Sequence, residues 1–209
     1  MKKIKSYFIP EEDKSYEIYF SNFDHYQEAQ RNKALAQVHK WNLAIDIGAN
    51  IGLWSRDLTN FFDKTICFEP NLNCLDYLKK NINIEKSIIY DFALGDKEED
   101  KIIYCPDNIG ASSFINYTKT TYKNDGSIIY GPFPENTKKT LVAIKTFDSF
   151  YFDNIDFIKI DVQGYELEVL KGAEKTLREL SPVICIEEEN PKNSKSLKFL
   201  QSLDYNIVD

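Results

Sequence analysis

Runs of apolar residues alternate with helical patterns along most of this chain. Residues 43–47 carry apolar side chains on both faces, a pattern typical of a strand in the middle of a parallel sheet, where both faces are covered. Similar runs follow at residues 65–69, 87–91, 156–161 and 182–187. Single helices between such strands indicate right-handed crossovers. The pattern therefore predicts an α/β fold with a doubly wound, Rossmann-like and mostly parallel sheet.

The ends of the chain and the stretches between the strands have their own patterns. Helical spacing of apolar residues occurs at residues 24–40, 53–61, 72–82 and 194–203. Residues 2–20 alternate loosely between apolar and polar side chains, which predicts one or two short strands ahead of the main sheet. Residues 205–208 predict one last strand.

The regular alternation stops between Ala93 and Asp148. Residues 101–105 and 140–144 predict strands that flank a long polar loop. A loop of this length in a compact domain is usually a lid, a binding loop or disordered. Its tyrosines and prolines favour a lid between Asp107 and Lys139 that sets substrate specificity.

The length of 209 residues fits one domain but is short for a cofactor domain with a separate catalytic domain. We therefore predict a single domain over residues 1–209. Its predicted parts are N-terminal strands and a helix (1–41), a cofactor-binding half (42–95), inserted strands with the lid loop (96–148) and a C-terminal half (149–209).

The net charge and the cysteine content limit which binding partners and which cellular compartment we expect. The net charge of −7, with acidic and basic residues interspersed, argues against a nucleic-acid or anionic-membrane surface. We find no signal peptide and no apolar stretch of membrane-spanning length. The four cysteines form no CxxC pair and no zinc spacing, so we expect reduced thiols in a cytoplasmic protein. A small-molecule or carbohydrate substrate is consistent with all of these features.

The strand at residues 43–47 leads into a glycine turn. Gly48 can adopt backbone angles closed to other residues, and Gly52 lets the following helix pack close to the strand. The N-terminus of that helix would then direct unpaired N–H groups across the turn. The next strand ends in Glu69, whose carboxylate could accept both hydroxyls of a ribose. A glycine pair alone is usually only a turn, but with Glu69 it predicts an adenosine-binding site.

Four motifs recur in order over most of the chain: DIGANIG at residues 46–52, FEP at 68–70, ALGD at 93–96 and FIKIDVQGYE at 157–166. In this combination the sequence resembles the FkbM-type class I methyltransferases, which use S-adenosylmethionine and often methylate hydroxyls of sugars and natural products. The resemblance implies a class I methyltransferase fold. It also implies S-adenosylmethionine as the cofactor.

The resemblance assigns expected roles to individual residues. The turn with Asp46, Gly48, Ala49, Asn50 and Gly52 would cradle the methionine end of the cofactor. Glu69, followed by Pro70, would hold the ribose, and Asp91, Phe92 and Ala93 would border the adenine. Asp161 would stand near the transferred methyl group.

The chain departs from the family pattern in two places. The family usually has Glu where this chain has Gln163, which removes a possible general base or charge partner. The usual final antiparallel strand is also missing after Asp209. The sheet could end one strand early, residues 16–20 could fill its edge, or the sequence could be truncated.

Methyl transfer to an alcohol is helped by a base that accepts the hydroxyl proton. Asp161 and Glu187 are the candidates, because both follow strands whose ends should open on the cofactor crevice. Glu187 and Glu189 should share one side of the chain, and Glu188 should face the other. The alternative is that Asp161 only shapes a turn and that the glutamates form a solvated strand end.

Three further candidates carry weaker signals. His25 could act as a base, although a surface histidine at a helix start is the commoner case. Ser112 and Ser113 could bind cofactor or substrate, or be ordinary loop serines. Asp161 with Glu187 or Glu189 could supply oxygen ligands to a divalent metal, but no spacing supports this and we predict no metal site.

Two other functions compete with methyl transfer. An NAD-dependent oxidoreductase would share the strand, turn and acid, but the turn lacks the G-x-G-x-x-G order and has Asn50 where a second close glycine is expected. A methyltransferase-fold protein could also bind its cofactor without turnover. We expect an S-adenosylmethionine-dependent O-methyltransferase acting on a sugar hydroxyl or a small metabolite.

Overall fold

The fold was examined in a computed structural model that describes residues 1–11, 14–22, 25–106, 112–116, 118–122, 128–188 and 190–208. The strands are β1 (Lys2–Ile4), β2 (Tyr7–Ile9), β3 (Leu43–Ile47), β4 (Lys64–Phe68), β5 (Ser87–Tyr90), β6 (Ala93–Leu94), β7 (Glu99–Cys105), β8 (Thr118–Tyr122), β9 (Ile128–Gly131), β10 (Lys138–Lys145), β11 (Phe157–Ile160) and β12 (Val183–Ile186). The helices are α1 (Lys14–Asn22), α2 (Glu28–Leu35), α3 (Ser55–Phe61), α4 (Leu72–Asn81), α5 (Glu166–Lys171), α6 (Glu174–Leu180) and α7 (Lys195–Ser202).

The central sheet has the strand order β12-β11-β3-β4-β5, and every pair in it is parallel. The chain runs outward from β3 through α3 and α4 to β5, and later returns to β11 on the other side of β3. The order therefore reverses between β3 and β11, and ligands of such sheets bind beyond the carboxyl ends of the strands at this point. The predicted doubly wound α/β fold is confirmed.

Both faces of the sheet are covered, as the apolar runs predicted. Ile45 and Ile158 belong to a core on one face, which also contains Leu170 and Leu177 from the helices after β11. Ala44 and Phe157 belong to the core on the other face, together with apolar residues of α2 and α3. Neighbours along a strand point to opposite faces, so an uninterrupted apolar run supplies both cores.

The inserted region forms a second, smaller sheet with the order β6-β10-β7, in which β10 and β7 are antiparallel. An isolated bridge between Tyr104 and Ser113 carries the chain back along β7. The prediction of one long polar loop is wrong for β8 and β9, which pair as an antiparallel hairpin. Threonine, tyrosine and isoleucine favour strands even where the overall composition is polar. Residues 107–111, 117 and 123–127 of the predicted lid lie outside the described residues.

The N-terminal prediction is correct for β1 and β2 and wrong for residues 16–20, which lie in helix α1. Tyr16 and Phe20 are four residues apart, so a helix places both on one face, where they pack in a cluster with Tyr7 and Ile9. These residues therefore do not fill the edge of the main sheet. The helix predicted for residues 24–40 is shorter, because the left-handed Gln27 precedes α2.

The predicted last strand at residues 205–208 is also wrong, since these residues form no regular structure. Tyr205 instead packs against the core, and its hydroxyl donates to the carbonyl of Leu177. Ser194 caps α7, because its hydroxyl accepts the Leu197 amide at 2.9 Å. In the part of the chain that is described, no helix combines the length and apolar character needed to span a bilayer.

Candidate active site

A cleft of about 980 Å³, including its open mouth, lies beyond the carboxyl ends of β3, β4 and β11. The predicted site residues that line it are Gly48, Ala49, Asn50, Glu69, Pro70, Ala93, Ser112, Ser113, Asp161, Gln163 and Glu187. The structure therefore brings together most of the predicted set at one end of the sheet.

The turn after β3 is held in shape by left-handed backbone angles. Gly48, Asn50 and Gly52 have φ values of 79°, 51° and 84°. The amides of Gly48 and Ala49 both donate to the carbonyl of Phe68, at 2.9 and 3.0 Å. Gly52 packs against helix α4 rather than a strand, since a Cβ there would lie 2.8 Å from Leu78 Cδ1.

The expected row of open N–H groups is not found in this turn. The Asn50 amide donates to Glu69 at 2.7 Å, the Ile51 amide to Asn50 Oδ1 at 2.7 Å and the Gly52 amide to the carbonyl of Ala49 at 2.8 Å. With the two amides bound to Phe68, every amide from residue 48 to residue 52 donates within the protein. The turn contributes shape to the cleft, and its hydrogen bonds fix the neighbouring acid.

That acid is Glu69, which is buried at the end of β4. Its Oε2 accepts the Asn50 amide and its Oε1 accepts the Asn71 amide, each at 2.7 Å. Burial raises the pKa of Glu69 to about 7, although the two amides act in the opposite direction. A carboxylate can accept about four hydrogen bonds, so two further donors from a ligand can be accommodated.

Asp46 lies beneath the turn rather than in the cleft lining. Its side chain is fully buried, and its Oδ2 accepts the Ser55 hydroxyl at 2.5 Å. Its Oδ1 lies 3.9 Å from Lys159 Nζ. Burial raises the pKa of Asp46, against the attraction of Lys159. The Asp46 carboxyl therefore contacts residues that surround the cleft and does not itself line it.

Asp161 is fixed on both oxygens where β11 ends. Lys159 Nζ lies 3.1 Å from its Oδ2, and Gln163 Nε2 donates to its Oδ1 at 2.8 Å. Glu187 forms a further side-chain hydrogen bond with Asp161. Burial raises the pKa of Asp161, but Lys159 and the hydrogen bonds outweigh it and the net pKa is lowered.

Lys159 lines the cleft but was not singled out by the sequence prediction. It is buried in the middle of β11 and lines the cleft, with Asp46 and Asp161 as its ion-pair partners. Burial lowers its pKa, but the two carboxylates reverse this effect and raise it. The signal was present in the sequence, because a lysine inside an apolar strand covered on both faces must be paired.

Aromatic residues from the N-terminal part of the chain complete the wall. Tyr16, Tyr26 and Trp54 line the cleft. The Tyr16 hydroxyl donates to Asn50 Oδ1 at 3.0 Å, and Trp54 Nε1 donates to Gln27 Oε1 at 2.6 Å. Burial raises the pKa of Tyr26 to about 12, so its hydroxyl stays protonated.

The remaining predicted residues divide between the cleft and its surroundings. The Ser112 hydroxyl accepts the side-chain amide of Asn71, and the Ser113 hydroxyl donates to the carbonyl of Gln163. Asp91 and Phe92 are not in the cleft lining, and Phe92 stacks on Phe150.

The weaker base candidate His25 and the glutamate Glu188 both lie outside the cleft lining. His25 is exposed and outside the cleft lining. Glu188 turns away from the cleft to accept the Ser194 hydroxyl at 2.5 Å. Glu189 lies outside the described residues. No group of three or more His, Cys, Asp or Glu side chains within the described residues is arranged to hold a metal ion.

The family model for the methyltransferase FkbM domain matches residues 46–207. The curated methyltransferase sdnD from Sordaria araneosa is 27% identical over 171 residues, which cover 70% of this chain and 66% of that protein. The chain thus spans just under two thirds of the length of this relative.

Two solved structures resemble the chain to different degrees. A methyltransferase FkbM from Methylobacillus flagellatus KT superposes with a TM-score of 0.50 at 17% identity, over 79% of this chain and 39% of that one. A precorrin-6y C5,15-methyltransferase from Geobacter metallireducens GS-15 gives a TM-score of 0.47 at 15% identity, over 84% of this chain and 71% of that one. The first of these supports the fold.

Proposed function

The chain belongs to the methyltransferase FkbM domain family, and from this premise we propose that it transfers a methyl group from S-adenosylmethionine to a hydroxyl of a sugar or another small molecule. The observation that carries this proposal is Glu69. Its carboxylate lines the cleft, is oriented by two backbone amides and keeps accepting capacity for two more donors. Adjacent hydroxyls of a ribose are donors of this kind.

The residues present fit this cofactor. Glu69 would accept the ribose hydroxyls, and the turn at residues 48–50 would border the methionine end. Ala93 would lie beside the adenine. When bound, S-adenosylmethionine supplies a methyl group on a positively charged sulfur. The carboxylates of Glu69, Asp161 and Glu187 line the same cleft and favour a cationic ligand.

The acceptor side of the reaction needs orientation and a place for one proton. Most of the rate enhancement in such a transfer can come from positioning the two reactants. Tyr16 and Tyr26 offer aromatic faces, and carboxylates can accept hydrogen bonds from neighbouring hydroxyls. Glu187 is the group to which the acceptor hydroxyl would pass its proton. The carbohydrate or small-molecule acceptor and the cytoplasmic location belong to this proposal.

Isothermal titration calorimetry with S-adenosylmethionine, S-adenosylhomocysteine and NAD tests the cofactor. We expect both adenosyl-sulfur ligands to bind and NAD to give no heat. Glu69→Ala should abolish this binding, while Glu179→Ala, which changes an exposed glutamate on α6, should bind like the wild type. Binding of NAD alone, or of none of the three, would refute the proposal.

Turnover is tested with methyl-labelled S-adenosylmethionine and a panel of sugars and small alcohols. Transfer of label to an acceptor oxygen supports O-methylation. Binding of the cofactor without transfer to any acceptor of the panel would favour the non-catalytic alternative.

A further inference from the structure

Asp161 and Glu187 both line the cleft, but Asp161 is partly buried whereas Glu187 is exposed. Asp161 is in contact with the Lys159 ammonium on one oxygen and with the Gln163 amide on the other. Lys159 itself cannot leave this position easily, because it is buried between Asp46 and Asp161 and lies 5.5 Å from the centre of the Trp54 ring. Two carboxyl groups in such different environments take different roles in acid–base chemistry.

We propose that Lys159 is a positioning residue that holds Asp161 as a fixed carboxylate, so that Asp161 provides an anionic contact for the sulfonium of the proposed cofactor while Glu187 takes up the proton. The inference rests on the proposed function. It assigns different roles to its two candidate carboxylates, Asp161 and Glu187. Nothing in the sequence prediction separated these two roles.

The contacts of Asp161 support this division. An ammonium at 3.1 Å favours the ionised form of the carboxyl, and an amide donor at 2.8 Å can only bind an acceptor oxygen. Both contacts stabilise the ionised form of Asp161. Asp161 therefore stays ionised while the acceptor hydroxyl loses its proton, and that proton passes to Glu187, which lines the same cleft.

Other charged and titratable groups face Asp161 from the elements packed around it. Each of these groups must be the same in the wild type and in the variants that are compared with it. They are Asp46 on β3, Glu69 after β4, Glu166 on α5, Cys185 on β12, Glu187 after β12 and Tyr26 before α2. Variants at Lys159 and Gln163 leave this set intact.

Residue 163 offers a second, independent way to disturb Asp161. Gln163 is exposed at the edge of the cleft and already has a positive φ of 55°. Gln163→Glu changes no backbone requirement and replaces the amide donor by a carboxylate. Two carboxylates at hydrogen-bond distance favour a shared proton, so this variant should act on Asp161 in the same direction as the loss of Lys159.

The first measurement is a carbon-13 NMR pH titration of the ligand-free protein with labelled aspartate carboxyls, in which Asp161→Asn identifies the Asp161 signal. We expect Asp161 to titrate below its ordinary range in the wild type, and at least about one pH unit higher in Lys159→Met and in Gln163→Glu. Lys159→Arg, which retains the charge, should restore most of the wild-type behaviour.

The second measurement is the ratio of the affinities for S-adenosylmethionine and S-adenosylhomocysteine as a function of pH. Glu69 contacts a group common to both ligands, so its titration cancels in the ratio. We expect a constant ratio in the wild type and a ratio that falls in both variants as the pH is lowered towards the raised pKa of Asp161, since protonation removes an anion from beside the sulfonium.

The outcomes separate this inference from the proposed function. An unchanged titration of Asp161 in both variants overturns the inference, and so does a shifted titration with an unchanged affinity ratio. If Lys159→Met does not fold, Gln163→Glu alone decides between these results. If the wild type binds neither ligand, the proposed function fails and the anionic contact with the sulfonium fails with it, while the NMR titration still decides whether Lys159 holds Asp161 ionised.

Discussion

A Cβ atom added to Gly48 would lie 1.9 Å from the carbonyl oxygen of Asp161. The Asp161 amide also donates to the carbonyl of Ile47 at 3.0 Å, directly before the turn. The glycine turn and the acid at the end of β11 are therefore in direct contact across the point where the strand order reverses. A change on one side of this contact must displace the other.

Gly48→Ala should lower the free energy of unfolding by more than about 3 kcal/mol, because the new methyl group meets backbone and the residue has a left-handed φ of 79°. Gly164→Ala is the matched control. Gly164 also has a positive φ, of 95°, but a Cβ there meets only the end of the Ile115 side chain, at 3.0 Å. Urea denaturation of both variants measures the difference. Equal losses would mean that the contact with Asp161 adds nothing.

Ionisation of Glu69 should destabilise the ligand-free protein as pH rises. Burial raises its pKa from 4.5 to about 7 in the folded state, so between these pH values the folded protein binds a proton that the unfolded chain has released. Stability from this group is therefore largest below about pH 4.5 and is lost by about pH 7, by roughly 1–3 kcal/mol. Glu69→Gln has no such titration.

The measurement is the free energy of unfolding of wild type and Glu69→Gln from pH 5 to pH 8. Other buried carboxyls, such as Asp46 and Glu166, titrate in both proteins, so the difference between the two curves isolates Glu69. We expect the wild type to lose stability relative to the variant across this range. A constant difference would show that Glu69 titrates at its ordinary pKa.

The fold and the main acids could be predicted because each depended on a local signal. An uninterrupted apolar run was enough to identify β3 and its position in the sheet. Glu69 and Asp161 each directly follow a strand of one parallel sheet, and such strands end at the same edge. Their common location in the cleft follows from the order of the elements alone.

The features that could not be predicted from the sequence depend on contacts between distant parts of the chain. Tyr16 reaches Asn50 only because α1 packs over the glycine turn, and the aromatic residues of α1 have strand propensities that gave the wrong element. Residues 205–208 also have strand character, but Tyr205 is held against α6 and α7. Lys159 could be recognised as requiring a partner, although the sequence did not specify which acids supply it.

Tyr16→Phe should weaken binding of S-adenosylhomocysteine by about fivefold, as expected for one lost hydrogen bond. The Tyr16 hydroxyl is bound to Asn50 Oδ1 at 3.0 Å, and the Asn50 amide orients Glu69. Tyr205→Phe also removes a hydroxyl bonded to a carbonyl, but far from the cleft, and should leave the affinity unchanged. Calorimetry on both variants makes the comparison. Equal affinities would exclude a contribution of the Tyr16 hydroxyl to binding.

The buried ion pair between Arg31 and Asp57 should be more important for stability than an exposed one. Arg31 Nη2 lies 2.9 Å from Asp57 Oδ2, and the two side chains are only 4% and 14% exposed. Arg31→Met removes the ion-pair partner of this mostly buried carboxylate, and we expect a loss of about 3 kcal/mol. Arg178→Met breaks a pair of the same length with side chains 51% and 46% exposed, and should change stability by less than about 1 kcal/mol. Thermal unfolding that affects both variants equally would contradict this ranking.

Glu187 and Glu188 are adjacent, but only Glu187 is directed into the cleft, while Glu188 accepts the Ser194 hydroxyl that caps α7. If Glu187 accepts the proton of the acceptor hydroxyl, Glu187→Gln should lower kcat by about 10²–10⁴-fold with little change in cofactor affinity. Glu188→Gln should keep kcat and lose only some stability, because its amide can still accept from Ser194. Single-turnover methyl transfer measures both. A variant at Glu187 with wild-type kcat would transfer the role of proton acceptor to Asp161 and would remove the distinction between the two carboxylates.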